Sequence, residues 1–190
     1  MSDGPAVSLV VVTRDRAPLA LRCLTALAKL PDEPTFEVVL VDDGSTDGTP
    51  ALLRAVEGDL VALRNDAPAG FARACDQGVA ASSGDAIVLL HDDAVPCDDW
   101  LDALARRLAG DDALGAVLPR SIDLEGAFMP EPHWLALAVR RSAYDRVGGF
   151  AGTARAGRAE KATLLEAVRE AGLGVAQERD AILLLVPAED

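Results

Sequence analysis

Two apolar runs in this sequence end in adjacent aspartates. EVVLV at 37–41 gives way to Asp42 and Asp43, and AIVLL at 86–90 gives way to His91, Asp92 and Asp93. Carboxylates grouped in this way have two uses. They can solvate a strand end and cap the turn that follows, or they can hold a cation. One carboxylate suffices to bind Mg²⁺ or Mn²⁺ while water and phosphate oxygens fill the other coordination positions. Within VDDGSTDGT at 41–49, Gly44 permits a tight turn and Ser45, Thr46 and Asp47 can cap a helix. His91 alone suits a hydrogen-bonded structural histidine as well as a ligand.

The elements that must position these acids are legible as alternating strands and helices. VSLVVV at 7–12, EVVLV at 37–41, DLVALR at 59–64 and AIVLL at 86–90 are predicted strands. Between them, residues 18–30 place Ala20, Cys23, Leu24 and Leu27 at helical spacing, and 49–56 opens a helix with Thr49 as cap and Pro50 in its first position. Phe71, Ala74, Cys75 and Gly78 give the next helix a narrow apolar face, and another runs from about Asp98 with Trp100, Leu101, Leu104 and Leu108 inward. Strands that are apolar throughout, separated by helices, predict a doubly wound, mostly parallel sheet covered on both faces. Ligands of such sheets bind beyond the carboxyl ends of the strands, which is where both acidic strings fall. The last third differs. LGAVLP at 114–119, LALAVRR at 135–141 and AILLLV at 181–186 read as strands that add an antiparallel element. A helix at about 160–171 is stopped by Gly172, and 120–134 and 151–158 read as loops. The organisation expected is one α/β domain over 1–190, with the doubly wound part at 1–109 and the part that adds the antiparallel element at 110–190.

The totals narrow the partners. A net charge of −13 argues against nucleic acid and anionic membrane surfaces, and any anionic ligand requires a metal ion or backbone N–H groups to offset the field. The first apolar run is about one strand long and follows no basic segment, so neither a signal peptide nor direct membrane insertion is expected. Cys23, Cys75 and Cys97 show no CxxC spacing and read as reduced thiols of a cytoplasmic protein, with Cys23 and Cys75 buried.

Taken together, the motifs resemble a family-2 glycosyltransferase of the GT-A fold. The matching stretches are VSLVVVTRDR at 7–16, FEVVLVDDGSTDGT at 36–49, AGFARACDQGVAASSGDAIVLLHDDAVPCDDWLDAL at 69–104 and LAVRRSAYDRVGGF at 137–150, in the family's order. The resemblance implies metal-dependent, inverting transfer of a sugar from a nucleotide-diphosphate donor to an acceptor. It sets Thr13 and Asp15 where the family's first loop meets the nucleotide, and Asp42 at the acid that contacts the base, with Asp43 beside it. His91, Asp92 and Asp93 match the D-x-D motif. Asp93 is then the ligand of Mn²⁺ or Mg²⁺, Asp92 contacts the nucleotide sugar, and His91 replaces the first acid and is a second candidate metal ligand. Arg73 falls on the nucleotide-side helix, in reach of phosphate or simply on the surface.

On the acceptor side the sequence departs from the family. An inverting transferase needs a general base on the acceptor hydroxyl. In the family it is an acid of an E-D motif beyond GGF. Here the alignment brings Glu160 and Lys161 to that pair and Thr163 to a further acid, while Ala151 and Gly152 follow GGF. A lysine protonated near neutrality cannot accept the proton. Three alternatives follow: Glu160, or an acid of 120–134 such as Glu125 or Glu131, is the base; the chain is an inactive pseudo-glycosyltransferase that binds nucleotide or protein; or it is a nucleotidyltransferase, against which TRDRAP lacks the glycines of a phosphate loop. His133 and Trp134 are candidate sugar contacts, Trp134 equally a packing residue, and Tyr144 reads as structural.

Overall fold

The computed structural model describes residues 4–56, 60–127, 136–153 and 160–185, with side chains omitted at 153 and 160–162. The chain opens with β1 (Val7–Thr13), buried at every residue, and α1 (Ala17–Leu27). Then come β2 (Phe36–Asp42), α2 (Thr49–Ala55), β3 (Leu60–Arg64), α3 (Phe71–Ala80) and β4 (Ala86–His91). The remainder is β5 (Ala94–Pro96), α4 (Trp100–Ala109), β6 (Leu114–Ile122), β7 (Ala136–Arg140), α5 (Arg141–Val147), α6 (Gly149–Thr153), α7 (Glu160–Glu170) and β8 (Gly174–Leu185).

Among the described residues the strands form one eight-stranded sheet in the order β3-β2-β1-β4-β7-β6-β8-β5. β3, β2, β1 and β4 are parallel neighbours, β7 runs antiparallel to β4 and β6, and β5 runs antiparallel to β8. The mixed α/β sheet, parallel for the most part with antiparallel strands added, is the architecture the sequence predicts. Its central strands carry apolar residues on both faces because both faces are covered. Leu9 and Val11 point into a core with Cys23, Leu27, Trp100 and Leu104 from α1 and α4. Val10 and Val12, alternating with them, point into a second core with Ala74, Cys75, Val79, Tyr144, Leu164 and Val168 from α3, α5 and α7. Each fully buried Leu or Val contributes about 1.5–3 kcal/mol by leaving water.

The strand order fixes where a ligand can sit. From β1 the chain moves outward through β2 and β3, then returns to place β4 on the other side of β1. The loops leaving β1 and β4 therefore part in opposite directions and open a crevice at their carboxyl ends. Register brings the chemistry level there, with Thr13 paired to Asp42 and Val12 paired to His91.

Several elements differ from their predicted bounds. Gly48, not Thr49, holds the cap position of α2, and Thr49 is helical because Asp47 Oδ1 takes its N–H at 2.9 Å. The other Asp47 oxygen takes the Ala17 N–H at 3.0 Å, so one carboxylate serves two helix starts. Arg141 begins a helix rather than ending a strand, since its N–H bonds to Asp85 O and its guanidinium caps Gly84 O and Ser82 Oγ. A short helix covers 149–153 where a loop is predicted. β8 starts at Gly174, well before residue 181, as a partly exposed strand held by β6, and Ala94–Pro96 forms a strand at the sheet edge, where a proline is tolerated.

Candidate functional site

Asp42 and Asp43 are neighbours at the end of a strand, so their side chains leave on opposite sides. Asp42 turns into the protein and is fully buried. Its Oδ1 accepts the Ser45 N–H at 2.9 Å and its Oδ2 accepts Arg64 Nη1 at 3.2 Å, while Arg64 Nη2 donates to Ser45 O. This folds the DGS turn back on the strand. Gly44 completes the turn at φ +75°, where a Cβ would stand 2.7 Å from the carbonyl carbon of Ala67, so only glycine fits.

Asp43 turns the other way, into a cleft of about 280 Å³ that it lines with Val12, Thr13, Arg14, Arg16, Gly70, Phe71, His91 and Asp92. Its Oδ1 accepts Asn65 Nδ2 at 2.9 Å and the Ala69 N–H at 2.7 Å, and its Oδ2 accepts the Gly70 N–H at 2.9 Å. Burial pushes this carboxyl upward, but these donors and the nearby Arg14 charge together hold it below the ordinary aspartate range. Asp43 is thus a fixed, ionised acceptor facing the cleft. Asp42, which the sequence sets at the base contact, does not line the cleft because both its oxygens are engaged behind it.

Asp15 adopts a left-handed φ of 52° and ties two loops together. Its N–H donates to Ser45 Oγ at 2.9 Å and its Oδ1 accepts the Thr46 N–H at 2.6 Å. The Thr46 N–H is the main reason its carboxyl lies below the ordinary range. Thr13 ends β1 with its hydroxyl donating to Asp92 Oδ2 at 2.8 Å. Arg16, just before α1, sets Nη1 at 3.4 Å from both Asp92 Oδ1 and Asp93 Oδ2. Burial raises the carboxyls of Asp92 and Asp93 above the ordinary range. Thr13 and Arg16 oppose this at Asp92, and Arg16 opposes it at Asp93.

His91, Asp92 and Asp93 each offer a ligand atom, and the three atoms lie within 4.8 Å of one another. Asp93 Oδ1 is buried, takes no hydrogen bond among the described residues, and stands 3.9 Å from His91 Nδ1. An orphaned carboxylate oxygen beside an imidazole nitrogen and a second carboxylate is a donor set that fits Mn²⁺ or Mg²⁺. The His91 ring stacks on Phe71 with centroids 4.9 Å apart, and Phe71 meets Phe150 edge-on.

That contact leads to residues the sequence reading missed. Asp76 on α3 accepts the Tyr144 hydroxyl, the Phe150 N–H at 3.0 Å and the Ala151 N–H at 2.9 Å. Burial, and then the Asp76 bond, hold the Tyr144 hydroxyl protonated well above its ordinary range. Gly149 sits at φ +59° against this knot, where a Cβ would come 2.6 Å from Asp76 Oδ1. Arg14, Arg16, Arg64 and Asn65 were missed as well. The available signal was the pair of arginines in TRDR, opposite in charge to both aspartate pairs.

Other sequence candidates lie apart from the cleft. Arg73 is exposed on α3 and does not line it. Glu125 is exposed in a turn closed by Asp123, whose Oδ1 accepts the Glu125 and Ala127 N–H groups. Thr163 is buried on α7. Glu160 opens α7, but its side chain and that of Lys161 lie outside those described, as do Glu131, His133 and Trp134 entirely. All three cysteines are free, and Cys23 and Cys75 are buried. Among the described residues no helix is long and apolar enough to cross a membrane.

Two solved structures share this architecture. The mannosyltransferase PcManGT from Pyrobaculum calidifontis, solved in complex with GDP-Man and Mn²⁺, superposes with a TM-score of 0.79 at 23% identity, covering 99% of this chain and 59% of its own. GalNAc-T7 with UDP, GalNAc and Mn²⁺ gives a TM-score of 0.79 at 14% identity, covering 100% and 45%. Both are GT-A glycosyltransferases, and the likeness is one of fold. In sequence, a TPR repeat-containing protein of Synechococcus elongatus is 38% identical over 46% of this chain, and the succinoglycan biosynthesis protein ExoO of Rhizobium meliloti is 37% identical over 59%. The glycosyltransferase AglE of Haloferax volcanii is 29% identical over 57%. The matched regions span only 20–37% of these relatives' own lengths. Residues 8–162 match glycosyl transferase family 2, and the chain belongs to that family.

Proposed function

We propose that this chain binds a nucleotide-diphosphate sugar in the crevice between β1 and β4 and transfers the sugar, with inversion, to an acceptor hydroxyl. The observation that carries this reading is the convergence of Thr13, Asp43, His91 and Asp92 on one cleft, with Asp93 within ligand distance of two of them. Asp43 accepts a hydrogen bond from the base and stays ionised for that purpose. Asp92, oriented by Thr13, accepts from a donor hydroxyl. Asp93, with His91, would hold Mn²⁺ or Mg²⁺, which when bound supplies Lewis-acid neutralisation of the leaving diphosphate. Arg14 and Arg16 offset the carboxylates of Asp43 and Asp92 on the cleft, in a chain of net charge −13. The PcManGT and GalNAc-T7 complexes with Mn²⁺ support the choice of metal and donor class. The described carboxylates on the cleft are taken up by the donor in this reading, and the resemblance to the family's E-D motif favours Glu160, at the start of α7, as the general base.

A second reading rests on Lys161, which the sequence sets at the family's base position. An ammonium group accepts no proton near neutrality. Under this reading the chain binds the donor without transferring it and acts as a nucleotide-binding or protein-interaction module.

The test is calorimetric titration of UDP-, GDP- and dTDP-sugars, with and without Mn²⁺, on wild type and Asp93→Ala. Metal-dependent binding by one donor, weakened about 100-fold in Asp93→Ala, supports the donor site. Absence of binding by every donor sinks it. Once a donor is found, release of its sugar to water or acceptor separates the two readings.

A further inference from the structure

The side chain that spans both acids of the pair is itself a cation. Arg16 Nη1 lies 3.4 Å from Asp92 Oδ1 and 3.4 Å from Asp93 Oδ2, bridging the two carboxylates. Resting on the donor-site reading above, we propose that Arg16 is an exchangeable counter-cation. A divalent metal displaces its guanidinium from Asp92 and Asp93, and the released guanidinium turns onto the diphosphate of the donor.

Four features carry this. First, the exposure is one-sided. The Asp92 and Asp93 side chains are 4% and 19% exposed, whereas the Arg16 side chain is 50% exposed at the start of α1. Second, the ion pair is a poor one. One nitrogen serves both acids at 3.4 Å, beyond the 2.7–2.9 Å of a good charge-assisted bond and without the paired geometry a guanidinium can offer. It also leaves Asp93 Oδ1 buried without a hydrogen bond among the described residues. Third, guanidinium and metal cannot share the acids. A unit charge within roughly 5 Å of a divalent ion is strongly repelled, more so in a partly desolvated cleft. Fourth, the guanidinium need not leave the site. Arg16 lines the cleft together with Arg14, so a turn away from the acids keeps it where a diphosphate would lie.

The exchange gives a signature that no structural role of Arg16 would produce, because its removal moves two affinities in opposite directions. Binding of Mn²⁺ alone, read as loss of free-ion signal by electron paramagnetic resonance, is compared in wild type, Arg16→Ala and Arg16→Lys. Binding of UDP and of GDP at saturating Mn²⁺ is then measured by calorimetry. Arg16→Ala tightens Mn²⁺ about tenfold, because a competing cation is gone, and weakens the nucleotide diphosphate about tenfold, because a phosphate partner is gone. Arg16→Lys, which keeps the charge and loses the fork, falls between. Unchanged or weaker Mn²⁺ binding in Arg16→Ala, alongside normal nucleotide binding by wild type, would overturn the exchange and leave the donor site standing. Nucleotide binding by none of the three forms would overturn the donor site itself and the hand-over with it. Mn²⁺ bound by neither wild type nor Arg16→Ala would overturn the exchange outright.

Discussion

The start and the middle of α3 hold carboxylates in contrasting ways. Beside its first turn, Asp92 and Asp93 are bridged by a half-exposed arginine, and one Asp93 oxygen takes no hydrogen bond among the described residues. One and a half turns on, Asp76 is bonded to a phenol and two backbone N–H groups, all neutral and all fixed by the fold. The first arrangement is loose, charged and open to a ligand. The second is a saturated knot that joins α3 to the segment 148–151 and, through Phe150 and Phe71, to the ring of His91. The contrast teaches which carboxylates the molecule reserves for chemistry and which it uses as fasteners. Asp76, whose described partners are all internal and which lies outside the metal-ligand group, is structural, and Asp93, with an oxygen that takes no hydrogen bond among the described residues, is available to a ligand.

The comparison breaks most visibly at Asp76. Asp76→Ala leaves the Tyr144 hydroxyl and the Phe150 and Ala151 N–H groups without their acceptor, at a cost of about 3 kcal/mol in unfolding free energy. Asp76→Asn retains an acceptor oxygen and costs about half as much. Urea denaturation followed by circular dichroism reads both. If Asp76→Ala lowers stability by less than about 1 kcal/mol, the knot is not a fastener and the distinction fails.

A smaller effect is expected at Glu37, a second fastener remote from the cleft. Its Oε1 accepts Ser8 Oγ at 2.8 Å, the Ser83 N–H at 2.6 Å and Ser83 Oγ at 3.0 Å, which joins β2 to β1 and to the turn before β4. Burial pushes this carboxyl up, but these donors outweigh burial and hold it below its ordinary value of 4.5. A carboxyl depressed in the folded state stabilises at pH above 4.5 and loses that contribution as pH falls through the folded value. Glu37→Gln is therefore less stable than wild type at pH 7 by about 1–2 kcal/mol, and the two converge as pH drops below 4.5. A gap that persists unchanged in acid would assign the loss to packing instead.

How far the sequence reveals all this depends on how local each feature is. The four parallel strands are visible because both faces are covered, which leaves uninterrupted apolar runs such as VSLVVV and AIVLL. The acids at 42–43 and 92–93 are visible because each run stops at them. That Asp43 rather than Asp42 faces the cleft is not visible, since the choice depends on which face of β2 carries α3. Arg16 and Asp93 are likewise joined only by the placement of β4 beside β1. Asp76 reads as an ordinary helix residue because two of its three partners are backbone groups on a segment brought in by β7 and α5. The first half of β8 is hidden for a different reason. GVAQERD is a partly exposed strand with charges, and its strand character comes from pairing with β6 rather than from its own pattern.

The finest test of the comparison is the stability of Asp93→Asn without metal. A residue reserved for a ligand carries a cost before the ligand binds, since burial of its charge outweighs the long, shared contact to Arg16 and a backbone N–H bond. Asparagine keeps the shape and removes the charge. The variant should be more stable than wild type by up to about 1 kcal/mol in metal-free buffer, as replacements of partly compensated buried charges commonly are. Wild type should regain that difference on adding Mn²⁺, because a ligand bound only by the folded state raises its stability. Thermal unfolding of both proteins with and without Mn²⁺ measures the four values. Destabilisation by more than 1 kcal/mol in Asp93→Asn would mean that the Arg16 bridge outweighs the burial of the charge. Both carboxylate groups along α3 would then be fasteners, and the acids beside the crevice would owe their arrangement to the fold rather than to a ligand.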